Sequence, residues 1–575
     1  MLASLGCPLD SCLSLLALVA LLALLASPSS QPIDMATTHG SSFSRMLYYA
    51  TPATIAGFAY GWENASMGGI LAMPQFLNYF HTPTAGRQGA MTAALIAGEF
   101  GGSLLIGLLL SDRFGRRVTI MASVLIYLIG QALIVASQNQ AMFIVGRVIN
   151  GLGAGGLFQT ISLYTAEITP AEIRGRMTSS MNTGIALGLL VAYWVQYGAL
   201  NISGNAAWRL CFAIQLLPGA AVGAILFFRP ESPRWLFRHD RSEEAIQVLA
   251  NLHADGNRDD PYVQSEYEEI RVVVEFERGV PAPSYFSLIF GKQYRRRTAL
   301  GMGLQFMQQI TGINIILYYA AKVFAQTGRT ATSAALLANG ISSALLLVSS
   351  FSLTVMADKY GRRKPIMIGP VCMGICLIVV GAMLVSFGSP HFDTTTQSVQ
   401  FTFHNVAAGN CAVAFMLLYM VFFGAFFSAL PWIYQNEVFP INARGRGTAL
   451  ATCTNWFVNF WLGLYIPDAL NTASWKLYFI FGAINICISI VGFFFFPETC
   501  QRSLEELDLL FVPGRRTLVF LDKEACTKGS ILEHSSADGA AAVALELEKK
   551  LVMGAMERQP GDEEKVNAYQ EENAL

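Results

Sequence analysis

The chain has 575 residues, of which 53% are hydrophobic and only 13% charged, with a mean hydropathy of +0.44 and a formal net charge of −1. A soluble domain carries about 25% charged residues, so water alone cannot cover this surface and lipid must cover much of it. The near-zero net charge removes any bulk electrostatic case for a nucleic-acid partner, and the hydropathy overrides the several soluble domains that length alone would suggest.

Residues 1–47 form an N-terminal segment. Its apolar run at 13–26 is too short to cross a bilayer comfortably; it resembles a signal-peptide core, yet no Lys or Arg precedes it. A start of translation at Met35, just before a polar stretch, is favoured over a cleaved signal or a thirteenth helix. Twelve apolar runs of about 20 residues, the length that spans hydrocarbon as a helix, follow at 48–72, 89–111, 118–137, 141–163, 178–200, 209–228, 298–321, 332–356, 365–388, 410–433, 447–466 and 475–496. Backbone groups in lipid must bond internally, which makes these runs helices. The 51 glycines suit helices that pack closely without a hydrophobic drive between them. The expected architecture is an all-α membrane protein. A six-helix bundle spans 48–228, a cytoplasmic central loop with short helices spans 229–297, and a second six-helix bundle spans 298–496. A cytoplasmic tail spans 497–575 and reads as disordered after about 512.

Lys and Arg set the orientation. The loop after span 2 holds Arg113, Arg116 and Arg117; the loop after span 8 holds Lys359, Arg362, Arg363 and Lys364, whereas 137–141 and 388–409 hold none. Both termini are therefore expected inside. Asn201 then lies outside as a possible glycan acceptor, while Asn64 falls within span 1 and is not modified. The scattered cysteines read as small core residues, and no metal or cofactor is expected.

The chain repeats itself. Asp112-Arg113-Phe114-Gly115-Arg116-Arg117 recurs as Asp358-Lys359-Tyr360-Gly361-Arg362-Arg363. Tyr164, Glu167, Pro170, Arg174, Gly175 and Arg176 recur as Tyr434, Glu437, Pro440, Arg444, Gly445 and Arg446, and Pro230-Glu231-Ser232 recurs as Pro497-Glu498-Thr499. Two pseudo-symmetric bundles follow. Topology needs only the arginines; it does not need Asp112, Glu167, Asp358 and Glu437. These acids with Arg116, Arg117, Arg174, Arg362, Arg363 and Arg444 are expected to form a cytoplasmic gating network.

Amide side chains both donate and accept, which suits a neutral polar ligand at the bilayer midplane. Span 7 supplies Gln305, Gln308, Gln309 and Asn314, the glutamines with Gly312 on one helix face, and span 11 supplies Asn455 and Asn459. Six amides exceed what helix packing needs. Two acids lie within spans, Glu63 and Glu99, and Arg147 begins span 4; such residues are functional candidates by default. Burial against a helix polar group is the expectation for Glu99. All seven histidines lie outside the spans, which leaves no histidine relay there.

These motifs in order, with Gly146-Arg147, Pro230-Glu231-Ser232-Pro233-Arg234-Trp235-Leu236, Gln308-Gln309-Ile310-Thr311-Gly312-Ile313-Asn314 and Pro497-Glu498-Thr499, resemble the sugar porter family of the major facilitator superfamily, in its fungal form. The resemblance implies twelve helices and alternating access. It implies that Gln308, Gln309, Asn314 and Asn455 hold the sugar and that Trp432 stacks on it. Asn182 stands where the family usually carries a Gln. An acid at Glu63 would work with Arg147 in proton coupling. Two departures, Phe426-Phe427-Ser428-Ala429-Leu430-Pro431 before Trp432 and Leu346 in span 8, leave the sugar open. The expected function is proton symport of a monosaccharide, hexose or pentose, by a plasma-membrane monomer. The alternatives are passive uniport, a polyol, quinate or disaccharide substrate, and a non-transporting sugar sensor. No nucleophile–base set or phosphate loop supports an enzyme.

Overall fold

The computed structural model describes residues 43–81, 83–170, 174–279, 283–317, 338–350, 360–393, 398–403, 405–473 and 475–500, then 502, 507, 510–511 and 517–527. The N-terminal run at 13–26, Met35 and most of the tail fall outside that set, as does Asp358.

A helical segment occupies each of the twelve expected spans. The first bundle holds α1 (Phe43–Ile70), α2 (Ala85–Gly102), α3 (Arg116–Val135), α4 (Gln140–Ile168), α5 (Arg174–Ala199) and α6 (Ala206–Phe227). The second holds α7 (Arg295–Gln309), α8 (Ala338–Ser350), α9 (Arg363–Phe387), α10 (Val406–Val438), α11 (Ile441–Ala473) and α12 (Trp475–Phe495). Seven of the described spans are long and apolar enough to cross a membrane by composition alone. Large apolar side chains such as Leu105, Val118, Leu125, Val348 and Phe457 point outward, as a surface solvated by lipid requires.

Glycine sets the closest approaches. Gly57 and Gly61 of α1 lie against backbone of Met181 and Ile185 on α5, and Gly98 and Gly102 of α2 lie against α4. A Cβ at these places would strike a carbonyl of the neighbouring helix. Small residues let helices gain dispersion contact where lipid supplies no hydrophobic push. Past Gly102, α2 widens into a π-helix over Ser103–Leu110.

The central loop carries helices Pro233–Arg238, Ser242–His253, Pro261–Gly279 and Tyr285–Phe290. The long loop after α9 forms an antiparallel hairpin, Gly388–Asp393 with Ser398–Phe403. Within the tail expected to be mostly disordered after about 512, residues 517–527 are ordered. Val519 is fully buried and Phe520 packs on Phe493 and Phe494 of α12, while the Glu498 amide donates to the Ala525 carbonyl at 2.9 Å. Two apolar residues in a charged tail give that piece something to bury.

The repeated motifs close the arginine-rich end of each bundle twice, in the same way. Glu231, beyond α6, accepts from the backbone amides of Arg116 (2.8 Å), Arg117 and Ser232. Glu498, beyond α12, accepts from Arg362 (2.7 Å), Arg363, Thr499 and Cys500. Each glutamate therefore caps the first turn of a helix more than a hundred residues away, using amides that no intrahelical carbonyl can reach. Burial raises the Glu231 carboxyl above its usual range, while the Ser232, Arg117 and Arg116 amides and the Arg116 charge pull it down. Gly115 and Gly361 make the caps possible: both have positive φ, 98° and 82°, and a Cβ on either would strike the capping carboxylate.

Side chains complete the rim. Arg116 grips Glu167 with two nitrogens at 3.0 and 3.1 Å and also meets Asp112 at 3.0 Å. Arg362 grips Glu437 at 2.9 and 3.2 Å. Ser232 donates to Glu167, and Thr499 donates to Glu437 at 2.6 Å. Arg117 and Arg363, expected to pair with acids, instead donate to carbonyls at the ends of α6 and α12, among them Leu226, Phe227, Phe493 and Phe496. The last carbonyls of a helix lack intrahelical donors, and a guanidinium supplies them. Arg174 opens α5 with its side chain outside the described set, and Arg444 is half-buried on the first turn of α11. Gly115→Ala is expected to lower stability by about 1–3 kcal/mol through the forced positive φ alone, with further loss from the displaced cap. Arg116→Lys, which cannot reproduce the two-pronged contact, should cost about 1–3 kcal/mol. Thermal unfolding of the purified protein checks both, and wild-type midpoints would contradict this account of the rim.

Candidate functional site

Two buried polar clusters lie within the spans, one in each bundle. In the first bundle Glu63 of α1 is fully buried and pairs with Arg147 of α4, Nη1 to Oε1 at 2.9 Å. Gln215, where α6 breaks between Ala213 and Leu216, donates to the other carboxylate oxygen of Glu63. The chain of bonds continues: Gln131 of α3 donates to Gln215 (2.9 Å), and Asn150 of α4 donates to Gln131 (3.0 Å). All of these side chains are buried. Glu99 of α2 is also fully buried, with neither carboxylate oxygen hydrogen-bonded among the described residues. The expectation that a helix polar group would receive it is not met: the α4 surface beside it is made by Gly151 and Gly155, which have no side chain to offer.

In the second bundle the expected amides meet. Gln305 donates to Gln435 of α10 at 2.9 Å. Asn455 of α11 donates to Gln305 at 2.6 Å and to Gln308 at 3.0 Å, and accepts from Gln309 at 2.6 Å. Asn314 donates to Gln309 at 2.5 Å, and Gln308 donates to the Phe427 and Ser428 carbonyls exposed where α10 breaks. Asn459 is buried one turn beyond Asn455.

The continuous span expected over 298–321 is interrupted. Helix α7 ends at Gln309, Gly312 adopts φ 97°, and helix resumes at 313. The turn brings Asn314 back onto Gln309. It also frees the Thr311 carbonyl, which accepts from Tyr419 (3.1 Å) and from Asn485 of α12 (2.7 Å). Broken helices of this kind persist at membrane depth only where the protein re-satisfies the backbone.

Aromatic rings stand between the clusters. Trp432 is half-buried, its ring 5.7 Å from Phe158 of α4; Trp456 lies 5.7 Å from Tyr60 of α1 and 6.0 Å from Phe158. These contacts join the two bundles. Asn182 of α5 is half-buried and makes no hydrogen bond to the amide cluster. Asn201 is exposed just past α5. Gln131, Asn150, Gln215, Gln435 and Asn485 were not singled out from the sequence, although a polar side chain within an apolar run is itself a signal.

At the ends opposite the arginine-rich loops the bundles touch closely. Tyr193 of α5 donates to the Leu317 carbonyl at 2.8 Å, Gly89 of α2 abuts Leu464 of α11, and Gly340 of α8 packs on the Trp194 ring.

Residues 49–511 match the family model described as "Sugar (and other) transporter". The chain is 35% identical to the high-affinity glucose transporter of Kluyveromyces lactis over 82% of this chain and 86% of that protein. It is also 35% identical to the glucose transporter mfs1 of Aspergillus flavus, over 80% and 89%. Its fold matches the proton:xylose symporter XylE bound to 6-bromo-6-deoxy-D-glucose with a TM-score of 0.66 at 25% identity, covering 82% of this chain and 99% of that one. With two bundles of six spans, duplicated rims and a match over most of its length, this chain is a multi-pass membrane protein of the sugar transporter family within the major facilitator superfamily.

Proposed function

We propose that this protein is a secondary transporter, not an enzyme, that carries a monosaccharide, a hexose first, across the plasma membrane together with a proton. The cluster of Gln305, Gln308, Gln309, Asn314 and Asn455 carries this reading. Each of these amides both donates and accepts, which matches the dual character of sugar hydroxyls. Trp432 and Trp456 supply ring faces for the C–H surface of a pyranose. The glucose transport named for the two fungal relatives supports a hexose.

Proton coupling rests on a charge count. Glu63, Glu99 and Arg147 comprise two acids and one base, all fully or almost fully buried. Ionisation of both acids would leave an excess negative charge away from water, which is expensive. A stored proton removes it. Among the described residues Glu63 has partners on both oxygens and Glu99 on neither, so withdrawal of Arg147 from Glu63 raises that acid's hold on a proton. The contacts opposite the arginine-rich loops support an arrangement closed to the outside, with both termini cytoplasmic and Asn201 exposed to glycan transfer. The rim networks lie within each bundle, so they hold each half as a rigid body while the halves rock; Asp112, Glu167 and Glu437 gate by keeping helix ends together. The protein acts as a monomer.

Uptake of labelled glucose in a transporter-deficient cell should exceed the outside concentration and collapse to it with a protonophore; accumulation indifferent to the protonophore would remove the proton. Glu63→Gln is expected to keep sugar exchange across proteoliposomes while losing uphill uptake. Equal loss of both would reduce Glu63 to a structural salt bridge. Gln309→Ala should raise the KM for glucose about tenfold, the equivalent of about 1.4 kcal/mol of binding, and lower thermal stability by about 1–3 kcal/mol through the Asn455 and Asn314 groups it leaves unpaired.

A further inference from the structure

At the arginine-rich end of the first bundle lies a cavity of about 580 Å³, away from both polar clusters. Its wall includes Tyr48 at the start of α1, Arg117, Phe228 and Arg229 at the end of α6, and Asn251 and Asp255 at the end of the helix Ser242–His253. Arg229 is 8% exposed, lies over the ring of Tyr48, and has a fully buried Nη1 with no hydrogen-bond partner among the described residues. Arg117, the second cation on the wall, spends Nε and Nη2 on the Leu226 and Phe227 carbonyls. Asp255, the carboxylate on the wall, is exposed.

The ring of Tyr48 is the only relief that Arg229 receives among the described residues, and no carboxylate there neutralises it, which is a costly arrangement for a guanidinium. Two arginines facing one cavity suit a phosphoryl group, whose oxygens match the guanidinium fork. The volume exceeds what a bare phosphate fills, and Tyr48 and Asn251 add polar atoms beside the arginines. The surroundings choose between a soluble and a membrane-borne phosphate. Phe227 and Phe228, 59% and 83% exposed, flank the cavity where a membrane-spanning helix ends. Exposed aromatic rings at that depth lie among acyl chains and headgroups.

We propose that Arg229 and Arg117 form a binding site for the phosphorylated headgroup of an anionic lipid in the leaflet beside the arginine-rich loops, with Phe227 and Phe228 lying against its acyl chains. The site is independent of which solute the protein carries, since it shares no residue with the polar clusters of the spans. An anionic headgroup there ties the end of α6 to the helix Ser242–His253, which Tyr49 of α1 already meets at the Leu252 carbonyl, 2.8 Å away.

The test uses full-length protein in phosphatidylcholine nanodiscs doped with a phosphatidylinositol monophosphate. Native mass spectrometry reads the lipids retained, and a thermal scan reads stability. The wild type should retain one doped lipid at least tenfold better than Arg229→Gln and gain several degrees from it. Asn251→Trp, which fills the cavity from its exposed wall and spares both arginines, should lose retention while keeping the wild-type midpoint in pure phosphatidylcholine; it decides the matter if Arg229→Gln does not fold. Equal retention by wild type and the variants would overturn the site. Stabilisation by soluble inositol trisphosphate with no lipid retained would overturn the lipid as its occupant.

Discussion

Hydrocarbon offers no hydrogen bonds, and that constraint organises the polar clusters in these spans, with Glu99 an exception. The amides of α7 and α11 satisfy one another, with help only from Gln435 and the broken backbone of α10 among the described residues. Asn485 and Tyr419 reach the Thr311 carbonyl because the turn at Gly312 leaves it without a helical donor. The same rule reaches the rims, where glutamates from after α6 and α12 serve the first amides of α3 and α9. Removing water turns ordinary capping into a long-range tie, since each capping group comes from another helix. The bundles are held less by apolar burial, which lipid offers equally to separated helices, than by this obligation.

Much of the fold was legible because its signals are local or repeated. Twelve apolar runs stand out by length, and the duplicated motifs locate the arginine-rich ends without any structure. The amide cluster was legible too, since Gln305, Gln308 and Gln309 sit at helical spacing. Legibility ended where a partner is distant in sequence. Glu231 and Glu498 are visible within the repeat, yet their roles depend on backbone amides, which carry no sequence label. Arg117 and Arg363 look like partners for acids, but their partners are carbonyls at the ends of other helices. The break in α7 was hidden by its hydropathy, for Ile310 to Ile313 read as apolar span; only the lone Gly312 hinted at the turn. Gln131 and Gln215 were passed over as single polar residues, and only the fold brings them beside Glu63.

The division of chemistry between the halves is uneven despite their symmetry. The first bundle concentrates charge, with Glu63 paired to Arg147, Gln215 and Gln131 chained to Glu63, and Glu99 buried without a hydrogen bond among the described residues. The second concentrates neutral amides. What joins them is aromatic: Tyr60 and Phe158 from one side, Trp432 and Trp456 from the other. A change of charge beside α1 and α4 is therefore one ring contact away from the helices that present the amides, which gives the proposed coupling a short physical route.

The mutual satisfaction of the amides has a bearing on turnover. An unoccupied carrier whose polar groups were left bare would be trapped in whichever posture hydrated them best. Here the amides bond one another, so these polar groups are already solvated from within the protein. The same arrangement caps how tightly any passenger can be held, because each contact it makes replaces one that already exists.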